Sequence, residues 1–89
     1  MRWHLVSPAD TACLRLDDEA LVFNPARWET HLLNAAAALV LDALVAGPGS
    51  VEEIVAAVAR EVEVPDGFAG QVAELLGQLE ALGLVAARA

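Results

Sequence analysis

Residues 30–44 read THLLNAAAALVLDAL, and the change of period inside that run sets the fold. Thr30 to Leu33 is short and strand-like. Asn34 comes next as a good N-cap, because its carboxamide oxygen can accept from an orphan N–H of a first helical turn. Behind it, Ala37, Val40, Leu41 and Leu44 fall at i, i+3, i+4 and i+7, which is one face of a helix. A strand that passes straight into a helix divides the chain in two. The N-terminal third reads as strands, and the C-terminal two thirds read as helices.

Toward the N-terminus, Thr11 to Leu16 alternates, with Leu14 and Leu16 on one face and Cys13 and Arg15 on the other. Asp17-Asp18-Glu19 is an acidic turn, and Ala20 to Asn24 (ALVFN) is rich in strand formers, so the pair is expected as a hairpin. Asn24-Pro25 breaks the second strand. Ser7-Pro8 marks an irregular lead-in, and Leu5-Val6 adds a few strand-like residues.

Toward the C-terminus, Gly47-Pro48-Gly49 ends the first helix. Ser50 and Glu53 form a capping box, the strongest local signal in the chain. Ile54, Val55, Val58 and Val62 give the second helix its buried stripe. Val64-Pro65-Asp66-Gly67 is a loop in which Asp66 is placed to cap a third helix. There Phe68, Val72, Leu75, Leu76, Leu79 and Leu82 crowd one side of the wheel. Gly83 is a natural stop, and Leu84-Val85 is expected to fold back on the core. The sum is one domain over residues 1–89: α+β, three short antiparallel strands followed by three helices. The last two helices form a helix-turn-helix-like pair.

Composition bounds the function. The 89 residues are 57% hydrophobic, which suits a packed core. Five basic residues face thirteen acidic ones, for a formal net charge of -8. Affinity for nucleic acid comes largely from Lys and Arg meeting phosphates. The chain has no lysine, and Arg2, Arg15, Arg27, Arg60 and Arg88 are scattered, so neither nucleic acid nor an anionic membrane surface is an expected partner. Met1-Arg2-Trp3-His4 does not read as a signal peptide, and the apolar run Ala35 to Leu41 is too short to span a bilayer. A cytoplasmic location is the default expectation.

No catalytic or metal-binding pattern emerges. Cys13 is the one cysteine, so no internal disulfide is expected, and nothing near it in sequence would activate the thiol. His4 and His31 lack metal-ligand spacing with it and read as a surface and a strand residue. Asp17, Asp18 and Glu19 lack the further oxygen ligands of a calcium loop. Gly47-Pro48-Gly49 has neither the length nor the lysine of a phosphate loop. The chain is expected to be no enzyme and to need no cofactor. Trp3 and Trp28 lie outside the helical core. Each reads as a cover for an edge of that core, or alternatively as a contact residue, since tryptophan is enriched at binding hot spots.

Several ordered segments resemble PqqD-type proteins. They are Trp3, Leu14-Arg15-Leu16-Asp17-Asp18-Glu19, Leu21-Val22-Phe23-Asn24-Pro25, Thr30-His31-Leu32-Leu33-Asn34 before an alanine-rich helix, and Gln78-Leu79-Glu80-Ala81-Leu82-Gly83-Leu84-Val85. The resemblance covers nearly the whole chain and is strongest to the peptide chaperones associated with an HPr-kinase-related protein. It implies a winged-helix-like, non-catalytic domain that binds the leader segment of a ribosomally made precursor peptide and presents it to a peptide-modifying enzyme. It further implies that the leader adds as a strand along Thr30, His31, Leu32 and Leu33, against a third helix that would offer Val72, Leu75, Leu76 and Leu79. Arg27-Trp28-Glu29 departs from the family by being bulkier than the small turn residues expected before Thr-His-Leu. An acidic host favours a leader with neutral or basic residues in the docking region. The alternatives are a winged-helix DNA-binding regulator and a structural scaffold subunit of an enzyme complex. The former is disfavoured because residues 67–82 carry Glu74 and Glu80 and no cation.

Overall fold

The computed structural model of the chain describes residues 1–7, 12–17, 19–24 and 27–88, with the backbone alone at 12, 13, 15 and 16. Thr11, Pro8, Asp18 and Pro25, and with them the expected strand start, lead-in, turn residue and strand break, lie outside the described residues. So does the side chain of Cys13.

The three expected strands are present as β2 (Ala12–Leu16), β3 (Glu19–Asn24) and β4 (Glu29–Asn34), in one antiparallel sheet of order β2-β3-β4. Beyond them come three helices: α1 (Ala35–Val45), α2 (Val51–Ala59) and α3 (Phe68–Ala81). The strand count exceeds expectation by two. β1 (Arg2–Leu5) and β5 (Val85–Arg88) pair antiparallel as a second sheet, with Leu5 opposite Val85 and Arg2 opposite Arg88. Each is four residues long, too short to show a period, and each becomes a strand only through the other. Trp3 also exchanges two backbone bonds with Gly49, of 2.8 and 3.0 Å, which ties β1 to the α1–α2 loop.

Register assigns the faces of the larger sheet. Ala20, Val22 and Asn24 of β3 are buried beneath the helices, and Leu33 of β4, opposite Ala20, joins them. The other face carries Leu14, Leu21 and Leu32 in one cross-strand row, and Leu14 and Leu32 are open to solvent. The sheet is therefore apolar on both sides, and polar–apolar alternation is blurred along its strands.

The helices begin and end by local chemistry. Asn34 Oδ1 accepts from Ala37 N at 2.9 Å. Ser50 and Glu53 form the reciprocal capping box, each bond 3.2 Å. α2 is shorter than the apolar spacing implied. It stops at Ala59, so Val62 falls beyond it and is 44% exposed instead of completing a buried stripe. Asp66 does not cap α3. The N-cap is Gly67, whose φ of 78° turns the chain in the left-handed region, and Phe68 N donates to Pro65 O at 3.2 Å. α3 closes with Gly83 at φ 78°, Leu84 N donating to Leu79 O at 3.0 Å and Gly83 N to Glu80 O at 2.9 Å. That pair of bonds is a Schellman motif, and Leu84 and Leu79 are both buried behind it. One core joins Val22 and Leu33 of the sheet to Val40, Ile54, Val72 and Leu76 of the three helices. Trp3 packs against its border, as a core cover should.

Candidate functional site

β4 is an edge strand. Its partner on one side is β3, and among the described residues nothing pairs with its other side. Of the residues expected to form a docking strand, Thr30 and Leu32 are exposed, His31 is half-buried and Leu33 is buried. Side chains alternate along a strand, so Thr30 and Leu32 face outward while His31 and Leu33 face the helices. Backbone groups alternate too: every second residue of the four turns its N–H and C=O to the open edge, and the others turn theirs to β3. His31 Nε2 is buried without a hydrogen-bond partner and lies 3.6 Å from Glu29 Oε1, just outside bonding range.

Across from the end of β4 stands α3. Of the four helix residues expected at a peptide surface, Val72, Leu76 and Leu79 are 0%, 0% and 1% exposed. They are the sealed core, and an incoming peptide would have to unpack the helix to touch them. Leu75 is half-buried at the border of that stripe. It reaches instead into a surface cleft of about 250 Å³ lined by Asn34, Ala36, Gln71, Glu74, Leu75 and Gln78. Gln71, Glu74, Leu75 and Gln78 have helical spacing, rotated from the core stripe by roughly one residue, about 100°. An apolar-period reading of α3 does not select this flank, whose sequence mark is the polar stripe Gln71, Glu74 and Gln78 bordering Leu75.

The far end of the hairpin is fixed to the far end of α3. Asn24 Nδ2 donates to Leu82 O and Arg27 Nη1 to Ala81 O, each at 3.3 Å. Both answer carbonyls at a helix C-terminus, where a cation is also favoured by the helix dipole. This latch holds β4 and α3 at a set spacing. The bulky Arg27-Trp28-Glu29 segment does not fill the space between them. Arg27 lies along the end of α3, while Trp28 is 86% exposed, with its ring 6.3 Å edge-on from Phe23. Trp28 thus covers no core edge, and its φ of 52° is unusual for an aromatic residue.

The histidines do not converge on a common centre. His4 is half-buried in β1, not a surface residue, and pairs across to Ala86, while His31 lies in the other sheet. Among the described residues no group of three or more His, Cys, Asp or Glu is placed to hold a metal ion. No described helix is long and apolar enough to cross a membrane.

A family model described as coenzyme PQQ synthesis protein D (PqqD) matches residues 19–85, from the start of β3 to the start of β5. The chain belongs to the PqqD family. Among solved structures, the chain is similar to TbiB1 in complex with the TbiA(beta) leader peptide. The TM-score is 0.73 with 21% identity, over 97% of this chain and 98% of that one. At that identity the likeness is one of fold. No curated protein matches the chain. The PqqD match contains β4, the whole of α3 and both latch residues, so the edge, the cleft and the hairpin attachment all fall within the part that carries the family resemblance.

Proposed function

We propose that this PqqD-family domain is a non-catalytic peptide chaperone. It binds the leader segment of a ribosomally synthesised precursor peptide by strand addition to β4 and presents it to a peptide-modifying enzyme. The observation that carries the reading is the open edge of β4 beside the α3 cleft. Strand addition draws affinity from main-chain hydrogen bonds and selectivity from side-chain pockets, and this arrangement supplies both. Family membership supports it, as does a fold shared over nearly the full chain with TbiB1, which was solved with a leader peptide. The docking segment is Thr30, His31, Leu32 and Leu33, through those backbone groups that point to the open edge, together with the side chain of Leu75. We read the strands followed by the loop-linked α2–α3 pair as a winged-helix-like arrangement. A DNA-binding role is not favoured, because α3 shows Glu74 and Glu80 and no Arg or Lys.

The test is an amide-shift titration with a precursor leader encoded beside the chain. Shifts are expected to concentrate at residues 29–34 and on the 71–78 flank of α3. Shifts confined to α2, with β4 silent, would refute the site.

A further inference from the structure

The cleft beside β4 has a chemistry that bears on which peptides it accepts. Gln71, Glu74 and Gln78 line its α3 wall, Asn34 and Ala36 the opposite wall, and Leu75 gives it an apolar surface. Glu74 holds the one formal charge among these six. Against it stands the N-terminal end of α1, worth about half a positive charge. Part of that is already answered, since Asn34 Oδ1 accepts from Ala37 N. A full carboxylate outweighs what is left, and the net charge of -8 adds to the same sign. The described arginine side chains do not line the cleft. Arg2 is bound to Glu53, Arg27 to the end of α3, and Arg60 lines a separate cleft between α1 and α2.

A pocket with one carboxylate, two carboxamides and an aliphatic wall suits a side chain with a methylene stem and a cationic head. The stem packs on apolar surface while the head stays hydrated. About 250 Å³ holds one such side chain. An acidic side chain would meet Glu74 with like charge, and a purely aliphatic one would desolvate the carboxamides without returning a hydrogen bond.

We propose that this cleft selects a lysine or arginine of the docked leader, with Glu74 as the selecting carboxylate and Leu75 packing the stem. The inference rests on the peptide-binding reading above and deepens it, naming the side-chain class that the site prefers at one leader position. Glu74 is exposed, so the preference is expected to be modest and weakened by salt.

The experiment uses the intact chain and a displayed library of short random linear peptides long enough to run along β4 and past the cleft. Enriched peptides that shift the β4 amides are expected to favour Lys or Arg at one position. Replacing that lysine by norleucine should weaken binding about two- to five-fold, the range of an exposed ion pair. Glu74→Gln should abolish the penalty, and Glu80→Gln, on the same helix outside the cleft, should leave it intact. Thermal melts of both variants check that folding is unchanged. Peptides that dock on β4 with no basic preference, or with one that survives Glu74→Gln, would overturn the role of Glu74 and leave the docking strand standing. A library that yields no peptide acting on β4 would overturn the docking strand, and this proposal with it.

Discussion

Gly83→Ala tests the latch that sets the spacing between hairpin and helix. Gly83 sits at φ 78°, and an alanine held in the left-handed region costs about 1–2 kcal/mol. A second cost is specific to this chain. An ideal Cβ on residue 83 would lie 2.8 Å from Arg27 Nε and 2.9 Å from Arg27 Cζ. The guanidinium is a movable tip, so the clash resolves by displacing it, and its bond to Ala81 O is then lost. That bond is exposed and 3.3 Å long, so its loss is worth about 0.5–1 kcal/mol, the low end for a hydrogen bond. The sum is roughly 2 kcal/mol, which for a domain of this size lowers Tm by about 8–16 °C. A double-mutant cycle with Arg27→Ala, read by denaturant melts, separates the parts. With Arg27 absent, Gly83→Ala should cost only the backbone part, leaving the pair sub-additive by about 0.5–1 kcal/mol. Additivity within about 0.3 kcal/mol would show that the two residues do not meet. A Gly83→Ala cost below about 0.5 kcal/mol would show that residue 83 is not left-handed. Because the latch sets the width between β4 and α3, Arg27→Ala is also expected to weaken leader binding at temperatures where the domain remains folded.

Three other perturbations have definite outcomes. Ser50→Ala removes the α2 cap and should cost about 1 kcal/mol by denaturant melts, with Ser50→Gly costing less. Glu53 is held below the ordinary carboxylate range by the backbone N–H of Ser50 first and by Arg2 second, so its contribution is fully present above that range and is lost as pH falls from it through the lowered folded-state value. Tm should decline on acidification, and Glu53→Gln, which keeps a capping-box side chain but no charge, should flatten part of that decline. Trp28 has φ 52° and little burial, so Trp28→Gly should be more stable than Trp28→Ala by about 1 kcal/mol, the reverse of the order in a helix or strand.

The elements that were legible in the sequence are those whose cause is local. Asn34, the Ser50–Glu53 box and Gly83 each act within a few residues, and each ends or begins a helix where the sequence places it. β2, β3 and β4 were legible because hairpin pairing is also short-range. What failed needed distant partners or a choice between near-equal caps. β1 and β5 are separated by most of the chain, and neither has a pattern without the other. Val62 continues the apolar spacing of α2, yet the helix ends at Ala59 and leaves the residue exposed. Asp66 is a good capping residue by type, but Gly67 beside it takes the left-handed turn and starts the helix one residue later.

The candidate site divides along the same line, and the division makes it testable. The open edge of β4 was legible because it is a property of the backbone: a third strand after a hairpin has one side left over. Hydrophobic period finds what a helix buries, so of the four helix residues expected at the site, Val72, Leu76 and Leu79 are buried in the free domain and Leu75 alone reaches the cleft. The proposed peptide surface lies on the polar flank beside Leu75, where period is silent. This separates folding from binding by residue. Truncating Leu76 or Leu79 should cost about 2–5 kcal/mol of stability and reduce binding only by unfolding the domain. Half-buried Leu75 removes less apolar area, so Leu75→Ala should cost less than either and weaken the peptide complex while the fold persists. Proline at His31 and at Leu32 divides the strand in the same way, since consecutive N–H groups point to opposite sides: one variant should lower Tm, the other peptide affinity. If both prolines unfolded the domain equally and Leu75→Ala bound peptide as tightly as the parent, neither the free edge nor the polar flank of α3 would be the binding surface.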